Sequence, residues 1–296
     1  MKIQKKWILS IVLLVVLIAI LIPLLRDWYV NRLMVNAMTS YQRRVRRIDE
    51  GTKWDILNQA HLFNVDVMQR GYPVYDPFDF AKRTPFEQID TMRYPEAYSP
   101  NRILGSLHIP KLKLKVPIIN GMDAQALWDG VGYVRGSSLP VGGYDTHTVI
   151  AGNRGPGTSE LFQFLELLKP GDYFFIDTMG IDMAYQVESV RIVQPDTSTY
   201  FSVQPGLDLA TLMTPHPYLI NQNRLLVTGH RVPYERELEY TIPVFSYKAE
   251  EFVAYVGVFI IGILGLTVLF KTQLGNKIRG IFKRRSISKG DPKEDS

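Results

Sequence analysis

The sequence contains no cysteine among its 296 residues. That absence excludes disulfides, Cys-ligated zinc, iron–sulfur clusters and any thiol nucleophile. Other signatures are missing as well. There is no His-Glu-x-x-His metal motif, no Gly-rich phosphate loop ending in Gly-Lys-Ser/Thr and no Gly-x-Ser-x-Gly nucleophile turn. The five histidines, His61, His108, His147, His216 and His230, have no metal-ligand spacing, so neither a metal nor a cofactor is expected. Gly155-Pro156-Gly157 reads as a turn, not as part of a dinucleotide fingerprint. No internal repeat is present. A composition of 46% hydrophobic and 21% charged residues excludes a largely disordered or collagen-like chain.

A strong charge bias is also lacking. Lys and Arg number 34 against 29 Asp and Glu, a net charge of +5. The excess sits at the two ends. Lys2, Lys5 and Lys6 precede an uncharged run at 7–25, and eight basic residues stand in the tail at 271–296 behind a second uncharged run at 252–270. Each run has the length of a bilayer span. No small-x-small cleavage site follows the first, which favours an uncleaved anchor over a signal peptide. The positive-inside rule then places residues 1–6 and 271–296 in the cytoplasm and the middle of the chain outside. Residues 7–270 carry 23 basic and 26 acidic residues, so the outer part is slightly acidic and nucleic-acid binding loses its main support.

Residues 26–70 read as a helical segment beside the membrane. Leu33, Ala37 and Tyr41 share one face, and Ile56, Leu57, Ala60, Phe63 and Val67 form a second stripe with helical spacing. Arg43, Arg44, Arg46 and Arg47 suit either lipid headgroups or a solvated helix face. Residues 71–100 hold Pro73, Pro77, Pro85, Pro95 and Pro100 and read as a long loop. Residues 101–245 are mainly β. Runs at 104–109, 114–119, 147–151, 173–177, 184–193, 209–214 and 225–232 alternate with Gly, Pro and Asp, and one short helix is expected at 161–168. Many short strands with one helix predict a closed or partly closed β-barrel.

Three blocks of the β region carry chemical information. They are Thr146-His147-Thr148-Val149-Ile150-Ala151-Gly152-Asn153-Arg154-Gly155, then Thr211-Leu212-Met213-Thr214-Pro215-His216-Pro217-Tyr218, then Asn223-Arg224-Leu225-Leu226-Val227-Thr228-Gly229-His230-Arg231. Together they resemble the sortases of class C, the pilin-polymerising group, whose strands end T-V-x-x-G-H-R-G and T-L-x-T-C-x-P-Y before R-L-L-V-x-G-x-R. Ser138-Leu139-Pro140-Val141-Gly142-Gly143 and Lys169-Pro170-Gly171-Asp172 extend the resemblance. It implies a sortase-like β-barrel with N-terminal helices, flanked by two transmembrane helices, at a Gram-positive cell surface. It also gives the Pro-rich loop a meaning. Asp76-Pro77-Phe78 looks like the Asp-Pro-aromatic lid motif that folds over the family's catalytic cleft.

The resemblance implies three catalytic positions. A Cys thiolate attacks the Thr–Gly carbonyl of an LPxTG-like sorting signal, a His protonates the leaving amine, and an Arg stabilises the oxyanion or positions the substrate. Here Arg224 matches the Arg, but Asn153 stands at the His position and Pro215 at the Cys position. Asparagine cannot cycle a proton near neutral pH, and proline offers neither a nucleophile nor a backbone N–H. Thr214 and His216 adjoin the vacant position, yet strand alternation points them away from it. Arg224 has a second reading as a barrel residue paired with Asp76. Three functions follow. The first is an inactive sortase-like protein that binds pilins or LPxTG-type sorting signals, or docks an active sortase. The second is an unusual transpeptidase or hydrolase on such signals. The third is a purely structural membrane protein.

Overall fold

Two helices precede the β region where the sequence suggests one helical segment. Helix α1 spans Lys2–Val45 and α2 spans Glu50–Arg70. Asp49 separates them by capping α2. Its carboxylate accepts from the Thr52 amide at 2.9 Å and the Thr52 hydroxyl at 2.7 Å, which holds it below the usual carboxylate range. Gly71 ends α2 in the left-handed region (φ 59°), its N–H returning to the Val67 carbonyl.

The structure is a computed structural model. It describes residues 2–78, 102–154, 161–195, 198–217 and 220–236, together with 257, 260–262 and 265. Two compact units divide the chain. One comprises Met1–Tyr29 and Ser246–Ser296, the other Val30–Phe245. Among the described residues no helix is long and apolar enough to cross a membrane. The run at 7–25 is helical as part of α1, but only some of its side chains are described. The run at 252–270 lies mostly outside the described residues, and the tail at 271–296 and the loop residues 79–100 lie wholly outside them.

In the larger unit both helices pack on the β region. The α2 stripe of Ile56, Leu57, Ala60, Phe63 and Val67 is buried, as its spacing requires. Each such side chain contributes about 1.5–3 kcal/mol on full burial. Asn64 stands in the same stripe. It donates to the Leu139 carbonyl at 3.1 Å and accepts from the Leu139 amide at 2.7 Å, so a buried polar side chain pins α2 without an unmet bond. The α1 face differs from the expected one. Met34, Met38, Tyr41 and Val45 are buried, whereas Leu33 is half exposed. Tyr41 sets the rotation. Its hydroxyl donates to the Leu104 carbonyl at 3.0 Å and accepts from the Met179 amide at 2.9 Å, and burial pushes its pKa up to about 12.

Eight strands close a barrel in the order β1-β2-β3-β4-β7-β8-β6-β5. They are β1 (Ile103–Ile109), β2 (Leu114–Asn120), β3 (Val131–Tyr133), β4 (Thr146–Ala151), β5 (Tyr173–Thr178), β6 (Ile181–Val193), β7 (Asp208–His216) and β8 (Asn223–Val232). The mainly β reading therefore holds across Ile103–Val232, and among the described residues closure leaves no free sheet edge. Two neighbouring pairs are parallel, β2 with β3 and β4 with β7. Parallel neighbours need a crossover, and the first is made by a helix the periodicity does not announce, α3 (Ala124–Asp129), capped by Asp123. The helix expected at 161–168 is only a 3-10 turn at Leu165–Leu167. Lys169-Pro170 stops the chain before a second turn can form. Leu165 and Leu168 are still buried, so the apolar spacing reports packing rather than helix.

Strand β4 is buried at all six positions. Its alternate residues serve two cores. Ile150, with Ala210, Leu212, Leu225 and Val227, joins the main barrel core. Val149, Ala151, Met213 and Leu226 join a smaller cluster on the opposite faces, covered by Val74 and Phe201 with Phe78 beside them.

Candidate functional site

The smaller cluster marks where the motif residues meet. In the antiparallel β7–β8 pair, Pro215 stands opposite Arg224, Met213 opposite Leu226 and Thr211 opposite Thr228. Directly opposed residues project to one face. Parallel pairing aligns Ala151 with Met213 and Val149 with Thr211. Asn153 follows Ala151 by two residues, is half-buried and accepts from the Phe162 amide through its carbonyl at 3.0 Å. The fold thus gathers Asn153, Pro215 and Arg224 at the ends of three adjacent strands, although 71 residues separate the first from the last.

Arg224 is 4% exposed and all of its guanidinium nitrogens are engaged. Nε donates to Asp76 Oδ1 at 2.9 Å, and Nη2 lies 2.6 Å from Asp76 Oδ2. Nη1 donates to the Asn221 carbonyl at 3.0 Å and the Asn223 carbonyl at 2.8 Å. The Asp76 carboxylate thus meets the guanidinium through one hydrogen bond at Nε and one ion-pair contact at Nη2, which leaves Oδ2 buried without a hydrogen bond. Asp76 Oδ1 also accepts from the Phe78 amide at 3.1 Å, closing a local turn that sets the Phe78 ring 5.5 Å from the guanidinium carbon. Residues 71–78 therefore form a strap that covers the smaller cluster, with Asp76 on the Arg224 guanidinium and Phe78 packed beside Met213 and Leu226.

Gly136 seats this strap. Its φ is +92°, and a Cβ there would stand 2.5 Å from the Pro73 carbonyl oxygen. Only glycine suits both the backbone conformation and the close approach.

The residues beside the vacant position are engaged elsewhere. Thr214 is fully buried and donates its hydroxyl to the Gly152 carbonyl at 2.9 Å. His216 Nδ1 lies 2.9 Å from Arg154 Nη1. A guanidinium can only donate, so Nδ1 is the acceptor and the ring proton sits on Nε2. Arg154 is itself buried and reaches Glu166 with its other terminal nitrogen. Arg154 and Glu166 are not singled out by the motif reading. The signal was present, because Arg154 follows directly on the position where the family carries its His.

His147 is held as scaffold. Nδ1 faces the Ser202 carbonyl at 3.1 Å and Nε2 faces the Thr211 hydroxyl at 2.7 Å, which continues to Thr228 at 2.9 Å. The carbonyl requires Nδ1–H, and in the neutral ring that burial favours Thr211 donates to Nε2. Burial lowers its pKa, in the same sense. At the beginnings of β4 and β7, Asp208 accepts from the Gly143 amide at 2.8 Å and the Tyr185 hydroxyl at 2.9 Å, with Arg231 at 3.5 Å. Burial nonetheless raises its pKa. Among the described residues no group of His, Asp and Glu could hold a metal ion.

A closed eight-stranded barrel with two packed N-terminal helices, and with the motif residues gathered at the ends of β4, β7 and β8, defines a sortase fold. The sortase-domain family model matches residues 107–232. Among solved structures, the chain is similar to sortase C1 of Streptococcus agalactiae (33% identity, TM-score 0.59), covering 67% of this chain and 94% of that one. It is likewise similar to sortase C of Streptococcus pneumoniae (33% identity, TM-score 0.59), covering 67% and 97%. Sortase D of Bacillus subtilis is 28% identical over 131 residues, which span 43% of this chain and 63% of that protein. The chain belongs to the sortase family, and its structure is of the class C type.

Proposed function

We propose that this chain is a membrane-anchored class C sortase-like protein that binds pilins or other LPxTG-type sorted surface proteins without Cys transpeptidation. One observation carries the reading. Pro215 occupies the buried position opposite Arg224, where the motif resemblance sets the nucleophile, and the chain has no cysteine to replace it. Asn153 likewise stands at the position of the proton donor. Hydrogen bonds also engage Thr214 and His216 elsewhere, with the Gly152 carbonyl and with Arg154. The retained elements are those of binding: an arginine fork, an apolar floor of Met213 and Leu226, and a covering strap. Partners of this kind, or a complete sortase working beside it, fit that set.

The membrane reading rests on the uncharged runs at 7–25 and 252–270 and on the basic ends. Ile11, Leu14, Val15, Ile18, Ile22 and Leu25 of α1 are all about half exposed, an apolar surface suited to lipid. Both termini then lie in the cytoplasm and the barrel outside. The native absence of cysteine makes labelling clean. An impermeant maleimide on intact cells is expected to label Tyr144→Cys and to miss Ser286→Cys.

Mass spectrometry tests the function. The chain is expected to retain an LPxTG-type peptide and leave it intact. Cleavage that disappears on changing Thr214 or His216 would overturn the reading in favour of an unusual hydrolase. The paired change Asn153→His with Pro215→Cys is expected to produce cleavage of the same peptide, because the Arg224 side of the cleft is complete.

A further inference from the structure

Resting on the membrane reading above, we propose that the end of the barrel opposite the motif residues is a docking surface for the lipid bilayer, with the outer face of α2 and the Gly143-Tyr144 turn seated among the headgroups. Strand pairing defines this end. β4 and β7 begin here side by side, β8 finishes here and the β5–β6 hairpin turns here. Asn153, Pro215 and Arg224 stand at the other end. Pro215 lies roughly 23 Å along β7 from Asp208 at the usual rise per residue.

Both helices reach the same end. The Tyr41 hydroxyl accepts from the Met179 amide at 2.9 Å, and a Cβ on Gly180 would stand 3.8 Å from Val45, so α1 finishes on the β5–β6 hairpin. A Cβ on Gly143 would stand 3.6 Å from His61 Nδ1, so α2 passes the turn that precedes β4. Ile56, Ala60 and Phe63 of α2 join the main core. The opposite face of α2 looks outward and is rich in apolar residues. Trp54 is 72% exposed, and Leu62, Val65 and Met68 are exposed after it. Tyr144 is 83% exposed on a turn that hydrogen bonds hold in place. The Gly143 amide donates to Asp208 at 2.8 Å, the Thr146 hydroxyl to the Gly143 carbonyl at 2.6 Å, and the Gly206 amide to Asp145 at 2.6 Å. Water does not stabilise apolar surface held in it, so a patch of this kind marks a contact.

Two observations name lipid as the occupant. The first is where the chain goes. β8 ends at Val232, and the 15 residues 237–251 then lead to the uncharged run at 252–270, a tether of at most about 55 Å. A span attached there holds this end of the barrel nearest the bilayer. The second is the chemistry. Trp and Tyr are enriched at headgroup level, where an apolar ring and a polar tip are both satisfied. Exposed Arg43, Arg46 and Arg47 at the end of α1 add charge suited to anionic headgroups. Two acids of α2 are already met within the helix, Glu50 by Lys53 and Asp66 by Arg70, each at 2.6 Å. At headgroup depth Tyr144 stays within reach of water-soluble reagents. The motif residues then face away from the bilayer, toward a partner arriving from outside.

The absence of native cysteine makes the test direct. The full chain is reconstituted in bilayer discs of phosphatidylcholine and phosphatidylglycerol, with an environment-sensitive fluorophore on one introduced cysteine. The sites are Leu62→Cys and Tyr144→Cys on the proposed surface, Ile220→Cys at the motif end and Ile18→Cys in the first uncharged run. Lipids with a nitroxide on the headgroup or on the acyl chain act as quenchers, and thermal melts confirm that each variant is folded. The labels at 62 and 144 are expected to lose about half of their emission to headgroup nitroxide, since an interfacial apolar face lies about 5–10 Å into that region. The label at 18 should be quenched by acyl-chain nitroxide, and the label at 220 by neither. Adding Trp54→Ser to Leu62→Cys is expected to cut the quenching about twofold, through loss of one anchor. If the labels at 62 and 144 behave like the one at 220 while the label at 18 is quenched, this inference falls and the membrane reading stands. No quenching at 18 removes both. Quenching at 62 that Trp54→Ser leaves unchanged also removes the inference, because the spans alone then hold the barrel near lipid. A blue shift at 62 that grows with protein concentration, without nitroxide quenching, assigns the face to a second copy of the chain and removes it too.

Discussion

The two ends of strands β4 and β7 are built for different purposes. At their beginnings, Asp208 takes the Gly143 amide, the Tyr185 hydroxyl and Arg231, while His147 takes Ser202 and Thr211. Those groups belong to the barrel wall itself, although Gly143 and Arg231 are partly open to water. At their far ends, Arg224 is just as fully engaged, but half its partners belong to Asp76 on a strap outside the barrel. That pair contributes no hydrogen bond to the ladder that closes the barrel. Equal burial therefore conceals unequal coupling to folding.

This comparison is broken most strongly by Asp208→Ala. It leaves the fully buried Tyr185 hydroxyl without its acceptor and removes the partner of Arg231, and should cost about 3 kcal/mol in urea unfolding. A loss below about 1 kcal/mol would mean that this end also opens to water. His147→Ala is expected to cost about 2 kcal/mol, from the Thr211 hydroxyl and the Ser202 carbonyl left unpaired. A pH effect accompanies it. Burial depresses the pKa of His147, and that of His108 falls to about 4. The folded state then binds fewer protons than the unfolded chain below the ordinary histidine value of about 6.5. Stability contributed by these neutral rings is complete above that value and declines as pH falls toward 4. Urea midpoints at pH 7.5 and pH 5 should show the decline, and it should shrink in His147→Gln and His108→Gln. Asp76→Ala is expected to change global stability least, by about 1 kcal/mol or less, because Arg224 rehydrates when the strap lifts. Limited proteolysis at residues 71–78 should nevertheless accelerate. Proteolysis unchanged beside a loss of several kcal/mol would erase the distinction between the two ends.

Much of the architecture was legible from pattern alone. Seven of the strands follow alternating or continuous apolar runs bounded by Gly, Pro and Asp, and the α2 stripe is buried at every position its spacing names. The departures have physical causes. β3 is three residues long and α3 six, too short for any period to register. Leu161 and Leu168 carry helical spacing, yet the chain uses a 3-10 turn there. On α1 the face was misread by about one residue, because the Tyr41 hydroxyl seeks the Leu104 and Met179 backbone and turns the helix to reach it. Asn153, Pro215 and Arg224 were legible because three blocks kept their order and spacing. Glu166 and Gly136 were not, since their roles rest on contacts with Arg154 and Pro73 that no local pattern announces.

What the sequence by itself determined is the family frame and the missing chemistry. Absence of cysteine is a statement about composition, and no arrangement of the chain can restore a thiol. What only the tertiary structure decided is what the surviving arginine does. Arg224 and Asp76 stand 148 residues apart. Whether they meet depends on α2 docking through Asn64, on the strap passing over Gly136, and on β7 and β8 pairing in register. Those are long-range contacts set by packing, which local pattern does not encode.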